Sequence, residues 1–258
     1  MISDHLNPIL AQGAATKLKT IRSVIMVGSG KGGVGKSLVS CALAVELAKK
    51  GHRTGLIDLD LHGASLESYF GRARPVRSGR SGMKPNEFRR VKTMSVSFFT
   101  DANPVPVKGE SKERLIMGLM ALTDWGELDY LVVDLPPGTG DEVIAAFSLF
   151  RKKSRLLLVT TPSSHSTKIV SRLLRLAREE RVRILGVVLN MSFMQTGRTV
   201  SFPFGRRSRS SIEREIGARI VGELPLDTKV SSQNLWRALS GRGELVESVR
   251  ALCTKIVG

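Results

Sequence analysis

One run of eight residues, Gly30-Lys31-Gly32-Gly33-Val34-Gly35-Lys36-Ser37, constrains this chain more than any other feature. It fits the pattern G-x-x-x-x-G-K-[ST]. It follows the apolar run 23–28 (SVIMVG) and opens a segment of helical character over 37–50, which stops at Gly51. Strand, glycine loop and helix in that order is the context that gives the pattern physical meaning. Glycines let the backbone curl until successive N–H groups converge. The helix N-terminus aims its positive dipole end at the same point. Such a nest takes phosphate. Lys36 is expected to neutralise the β- and γ-phosphates of ATP, and the Ser37 hydroxyl to ligate Mg²⁺. Leu38, next in the helix, completes the nucleotide-binding set.

The remaining chain repeats that alternation. Apolar runs at 54–58, 94–99, 130–135, 155–160, 184–190 and 218–224 read as strands, and 110–122, 167–180 and 235–257 as helices. The strands are near-continuously apolar, as a parallel sheet buried on both faces requires. Strands alternating with helices imply crossovers and a doubly wound α/β sheet with helices on both faces. Residues 1–22 read as an N-terminal tail without the basic start and apolar core of a signal, and 23–258 as a single domain. No apolar run is long enough for a transmembrane helix. Residues 71–90 and 195–209 read as loops, rich in Arg with Gly, Ser and Pro.

Ligands of a parallel sheet bind beyond the carboxyl ends of its strands. Two acidic clusters stand there: Asp58-Leu59-Asp60-Leu61-His62-Gly63, and Asp134-Leu135-Pro136-Pro137-Gly138-Thr139-Gly140-Asp141. Asp134 suits a Mg²⁺ held through water, and Asp58 a supporting place beside the metal. Asp60 is positioned to orient or deprotonate the attacking water. Gly138 and Gly140 can hinge in response to the γ-phosphate.

These residues together resemble the Mrp/ApbC family of MinD- and ParA-like P-loop ATPases, in the SIMIBI class. VGSGKGGVGKS, DLDLHGAS, WGELDYLVVDLPPGTGD, VTTP, LNMSF and GELPLD stand in the expected order between about Val24 and Val230. The early lysine marks a deviant Walker A loop. The two unpaired cysteines fit a reducing cytosol, and the resemblance implies a homodimer in which Lys31 reaches the partner's phosphates as an arginine finger would. It implies Asp60 as the catalytic aspartate, and adenine contacts from Asn190 and the backbone near Pro225. It also implies a role in iron–sulfur cluster assembly, with client or scaffold proteins as partners. One departure stands against the cluster. Relatives that carry one have a CPxCG segment after NMS; here 190–205 reads NMSFMQTGRTVSFPFG, without cysteine. Thiolate ligands for an Fe–S cluster are therefore missing. His62 and His165 are the remaining candidates for a different metal.

The chain has two cysteines, Cys41 and Cys253, which read as small buried apolar residues. The formal net charge of +17 favours anionic partners, nucleic acid or an acidic surface. It keeps open a positioning or partition ATPase that binds DNA or membrane, with the Arg72–Arg90 segment as the contact. A nickel-insertion ATPase for hydrogenase maturation is a further variant of the metallocofactor reading. Aromatics at 5% give little for stacking single strands.

Overall fold

The computed structural model describes residues 2–60, 66–99, 109–197, 199–227, 230 and 235–257. In chain order its strands are β1 (Ile21–Ser29), β2 (Thr54–Asp58), β3 (Arg77–Gly79), β4 (Gly82–Lys84), β5 (Asn86–Phe88) and β6 (Val91–Ser95). Then come β7 (Leu128–Asp134), β8 (Ser154–Thr160), β9 (Arg183–Leu189), β10 (Met194–Thr196), β11 (Thr199–Ser201) and β12 (Ile220–Glu223). The helices are α1 (Ile2–Lys19), α2 (Lys36–Lys49), α3 (Leu66–Phe70), α4 (Gly109–Leu122) and α5 (Asp141–Phe150). They continue with α6 (Ser164–Glu179), α7 (Arg209–Ile216), α8 (Leu235–Ala238) and α9 (Glu244–Val257).

Eight strands form one sheet in the order β12-β9-β8-β1-β7-β2-β6-β5, parallel throughout except for β5 at the edge. Alternate side chains of the apolar strands enter two separate cores. Val24 and Met26 pack with α1, α4, α5, α6 and α7. Ile25 and Val27 pack with α2, α3, α8 and α9. A strand buried on both faces must be apolar at every position, which is why these runs stand out in the sequence. From β1 the chain steps out to β2 and β6, returns to insert β7 beside β1, then builds the other half through β8, β9 and β12. The carboxyl end of β1 thus lies where the winding reverses, the place where such sheets bind ligands.

Several sequence expectations need correction. The N-terminal tail is largely the 18-residue helix α1, and β1 starts at Ile21. Pro8 and Gly13 hid this helix. Gly13 is where α1 meets α4: an added Cβ would lie 3.0 Å from the Ala121 Cβ. The 71–90 loop contains β3, β4 and β5. Its backbone is tied down, with Ala73 N–H donating to Glu67 Oε1 at 2.9 Å, while Arg74 and Asn86 exchange two hydrogen bonds of 3.0 Å. Within 195–209, β10 and β11 form a small hairpin. The run expected as a strand at 94–99 ends as one at Ser95 and turns into a 3-10 segment, Val96–Phe99. The C-terminal helix is also broken, into α8 and α9, around Gly241 and Gly243.

Candidate functional site

Gly35 caps α2 in the left-handed conformation, with φ of 81°, and no side chain caps the helix. The first amides of α2 are left for another acceptor. A Cβ at Gly35 would fall 2.1 Å from Asn190 Nδ2, and one at Gly30 would fall 2.7 Å from the α6 backbone at Ile169 and Val170. Glycine is therefore required at both positions by close approach. Gly32 and Gly33 form the exposed tip, and Val34 is buried. Asn190 anchors the loop from below, its side-chain amide donating to the Val34 carbonyl at 2.9 Å. Pro225 is buried in the segment that follows β12, where Leu226 N–H donates to Phe193 O at 2.7 Å.

Lys36 points into the sheet. Its ammonium lies 2.7 Å from Asp134 Oδ1, at side-chain exposures of 6% and 0%. Ser40 Oγ donates to the same oxygen at 2.7 Å. The other oxygen, Asp134 Oδ2, is buried without a hydrogen-bond partner. Asp58 stands in register with Asp134 on the neighbouring strand. It accepts from Asp60 N–H at 3.0 Å and from Ser95 Oγ at 3.3 Å. Ser37 Oγ lies 3.4 Å from Lys36 Nζ. Two buried carboxylates side by side, one with an orphaned oxygen, next to a hydroxyl, form a set of hard oxygen donors that suits Mg²⁺. Asp60 is half-buried just beyond β2, and the residues after it, His62 among them, lie outside the described residues. Lys31 is half-exposed at the loop entrance, and among the described residues nothing pairs with its ammonium.

Burial, and then the charge of Asp134, push the Asp58 carboxyl up to about 8. A raised carboxyl keeps in the folded state a proton that the unfolded chain has already released. Stability of the ligand-free protein should therefore fall as pH rises from about 4 to about 8 and then level off. Asp58→Asn should flatten that fall in thermal melts. An unchanged pH slope in the variant would locate its cause elsewhere.

The loop after β7 is tied to the same centre, with Gly138 N–H donating to Ser29 O at 2.8 Å. The structure thus gathers Gly30 to Ser37, Asp58, Asp134 and Asn190 at one end of the sheet, at the carboxyl ends of β1, β2, β7 and β9. Ser40 is a site residue that sequence reading missed. Its signal was there, one helical turn after Lys36 and on the same face.

The profile of the family described as ParA, NUBPL iron-transfer P-loop NTPase, matches residues 20–243. The chain belongs to this family.

Individual relatives agree with that placement. An iron–sulfur cluster carrier protein of Saccharolobus solfataricus is 37% identical over 225 residues, covering 84% of this chain and 76% of that protein. Another, from Deinococcus radiodurans, is 38% identical over 227 residues; there the chain spans only 63% of the relative's length. A nucleotide-binding protein of Archaeoglobus fulgidus, solved in complex with ADP, superposes with a TM-score of 0.77 at 30% identity, over 92% of this chain and 96% of that one. The cell division ATPase MinD of Pyrococcus furiosus shares the fold, at a TM-score of 0.68 and 20% identity, over 92% of this chain and 98% of that one.

The thiols of this family member lie away from the surface. Cys41 on α2 and Cys253 on α9 are both fully buried, and burial raises both thiols above their ordinary range. His165 is exposed on α6. Among the described residues no three His, Cys, Asp or Glu side chains group as a metal site, and no helix is long and apolar enough to cross a membrane.

Proposed function

We propose that this P-loop NTPase hydrolyses ATP with Mg²⁺ as a cytoplasmic homodimer, and that it drives iron–sulfur cluster transfer without ligating the cluster through its own cysteines. The observation that carries the reading is the buried Lys36–Asp134 pair beside Asp58, beneath a glycine loop that leaves helix amides open.

On ATP binding, Lys36 leaves Asp134 for the β- and γ-phosphates, and the amides of Gly30 to Leu38 surround them. Asn190 Oδ1, buried without a partner, and the backbone at Pro225 meet the adenine. Ser37, Asp58 and Asp134 hold Mg²⁺, which when bound supplies charge neutralisation at the phosphates. Asp60 orients the attacking water and takes its proton. Lys31 of each subunit reaches the phosphates bound by the other. Closure and release of the dimer switch the contacts made with client or scaffold proteins.

The cluster itself is cargo. Two buried thiols on separate helices offer it no ligands, so it is held by a partner.

The test joins turnover to iron. Asp60→Ala should lower Mg²⁺-dependent turnover by about 100-fold or more while an ATP-bound dimer accumulates on a sizing column. Anaerobic reconstitution with iron and sulfide should leave the chain alone without stoichiometric cluster. Wild-type turnover in Asp60→Ala would remove that residue from catalysis, and a stoichiometric cluster would overturn the account of the cargo.

A further inference from the structure

The outer edge of the sheet carries a concentration of charge that the nucleotide site does not use. Residues 71–92 hold six Arg and two Lys against one acid, Glu87. Lys92 is engaged, donating to Trp125 O at 2.7 Å. Arg72, Arg74, Arg77, Lys84, Arg89 and Arg90 are exposed, and none forms an ion pair with the described residues.

Their placement works against the stability of the isolated chain. Arg77 and Lys84 stand directly opposite each other across β3 and β4, an arrangement in which like charges repel. The turn from β5 to β6 has two residues, Arg89 and Arg90, with φ of 47° and 77°. A two-residue hairpin turn with both φ values positive normally calls for Asn and Gly, and bulky residues there are strained. The Arg89 guanidinium also shares the Trp236 ring with Lys49, at 5.9 and 5.3 Å. Such outliers point to a function that holds them in place. Protection of the sheet edge from pairing does not account for them. The edge strand β5 itself has Glu87 as its one charged residue, and the cations flank it.

A groove of about 460 Å³ lies among Arg72, Arg74, Arg77 and Lys84, with Asn86 in its wall. The paired hydrogen bonds between Arg74 and Asn86 hold this wall in shape. Arginine forks suit phosphate oxygens, which they bind two at a time. The exposed large apolar side chains, such as Val200, Phe202 and Phe204, lie outside 71–92, so this edge has no wedge for a lipid surface. Phe88 is stacked on Phe70 and half-buried, and the Trp236 ring beside it is already engaged by Arg89 and Lys49, so neither ring offers single-stranded bases a free face.

We propose that this sheet edge binds the phosphate backbone of duplex nucleic acid without reading its sequence. The bound polyanion relieves the crowding of Arg77 with Lys84 and of Arg89 with its neighbours. The site is separate from the P-loop, and the proposal stands whatever the fate of the cluster-transfer reading.

Binding of the full chain to a labelled duplex of about 25 base pairs, followed by fluorescence anisotropy across a salt series, tests it. The logarithm of affinity should fall linearly with that of salt. Arg72→Gln/Arg77→Gln/Lys84→Gln should shallow the slope by about 0.9 for each phosphate no longer neutralised, and weaken binding at least about 10-fold at low salt. Its ATP turnover should match that of the wild type. Arg89→Asn/Arg90→Gly should melt at a higher temperature yet bind duplex more weakly, so this variant reports even if the triple variant folds poorly. Absence of duplex binding, or wild-type binding by both variants, overturns the proposal. So does binding to phosphatidylserine vesicles without binding to duplex, which would make the edge a lipid-facing surface.

Discussion

Lys36→Ala is expected to abolish ATP and ADP binding in calorimetry. The charge-assisted contacts of one ammonium with phosphate contribute roughly 1.5–3 kcal/mol each, and Lys36 is placed to make more than one, so a loss of at least about 100-fold follows. The fold is affected as well. Asp134 is fully buried, and removing Lys36 leaves its charge uncompensated. Breaking a buried pair in this way costs about 3–5 kcal/mol. Lys36→Ala/Asp134→Asn separates the two effects, since it should recover stability without recovering ATP binding. Nucleotide affinity within a few-fold of wild type in Lys36→Ala would remove the loop from phosphate recognition altogether.

Lys31→Ala should behave in the opposite way, with nucleotide affinity preserved and turnover reduced by about 1,000-fold or more, the scale of an absent arginine finger. Lys31 is half-exposed and pairs with nothing described in its own subunit, so the substitution leaves the fold alone. Mixing gives a sharper test. A Lys31→Ala subunit binds ATP but lacks the reaching lysine; a Lys36→Ala subunit supplies Lys31 but holds no ATP. Each is inactive alone, and together they should regain up to half a dimer's activity. If Lys31→Ala turns over ATP normally, or if mixing restores nothing, the lysine does not act across an interface.

Much of this architecture was legible in the residues. Runs such as SVIMVG and YLVVDL are apolar at successive positions because both their faces are covered, and that pattern marks central parallel strands directly. The phosphate loop was equally plain, since Gly30 and Gly35 answer to close approaches that admit no side chain. What stayed hidden depended on distant partners. Helix α1 carries a proline and a glycine that look like breakers until Ala121 of α4 is seen against Gly13. Strands β3 to β5 are short and polar, and their segment is pinned by Asn86 and Glu67 rather than by any hydrophobic period. Ser40 could be placed on Asp134 only once β7 was known to lie beside β1.

The bond from Gly138 N–H to Ser29 O has a mechanical implication. Ser29 is the residue from which the phosphate loop springs, and Gly138 stands just ahead of the first turn of α5. If the loop shifts when triphosphate gives way to diphosphate, this bond would pass the shift to α5 as a tug at its end. Helix α5 leans on α4, and α4 on α1, so the pull passes to the layer on the other side of the sheet from α2. The molecule would then announce its nucleotide state on a surface remote from the nucleotide, where a client could sense it without touching ATP.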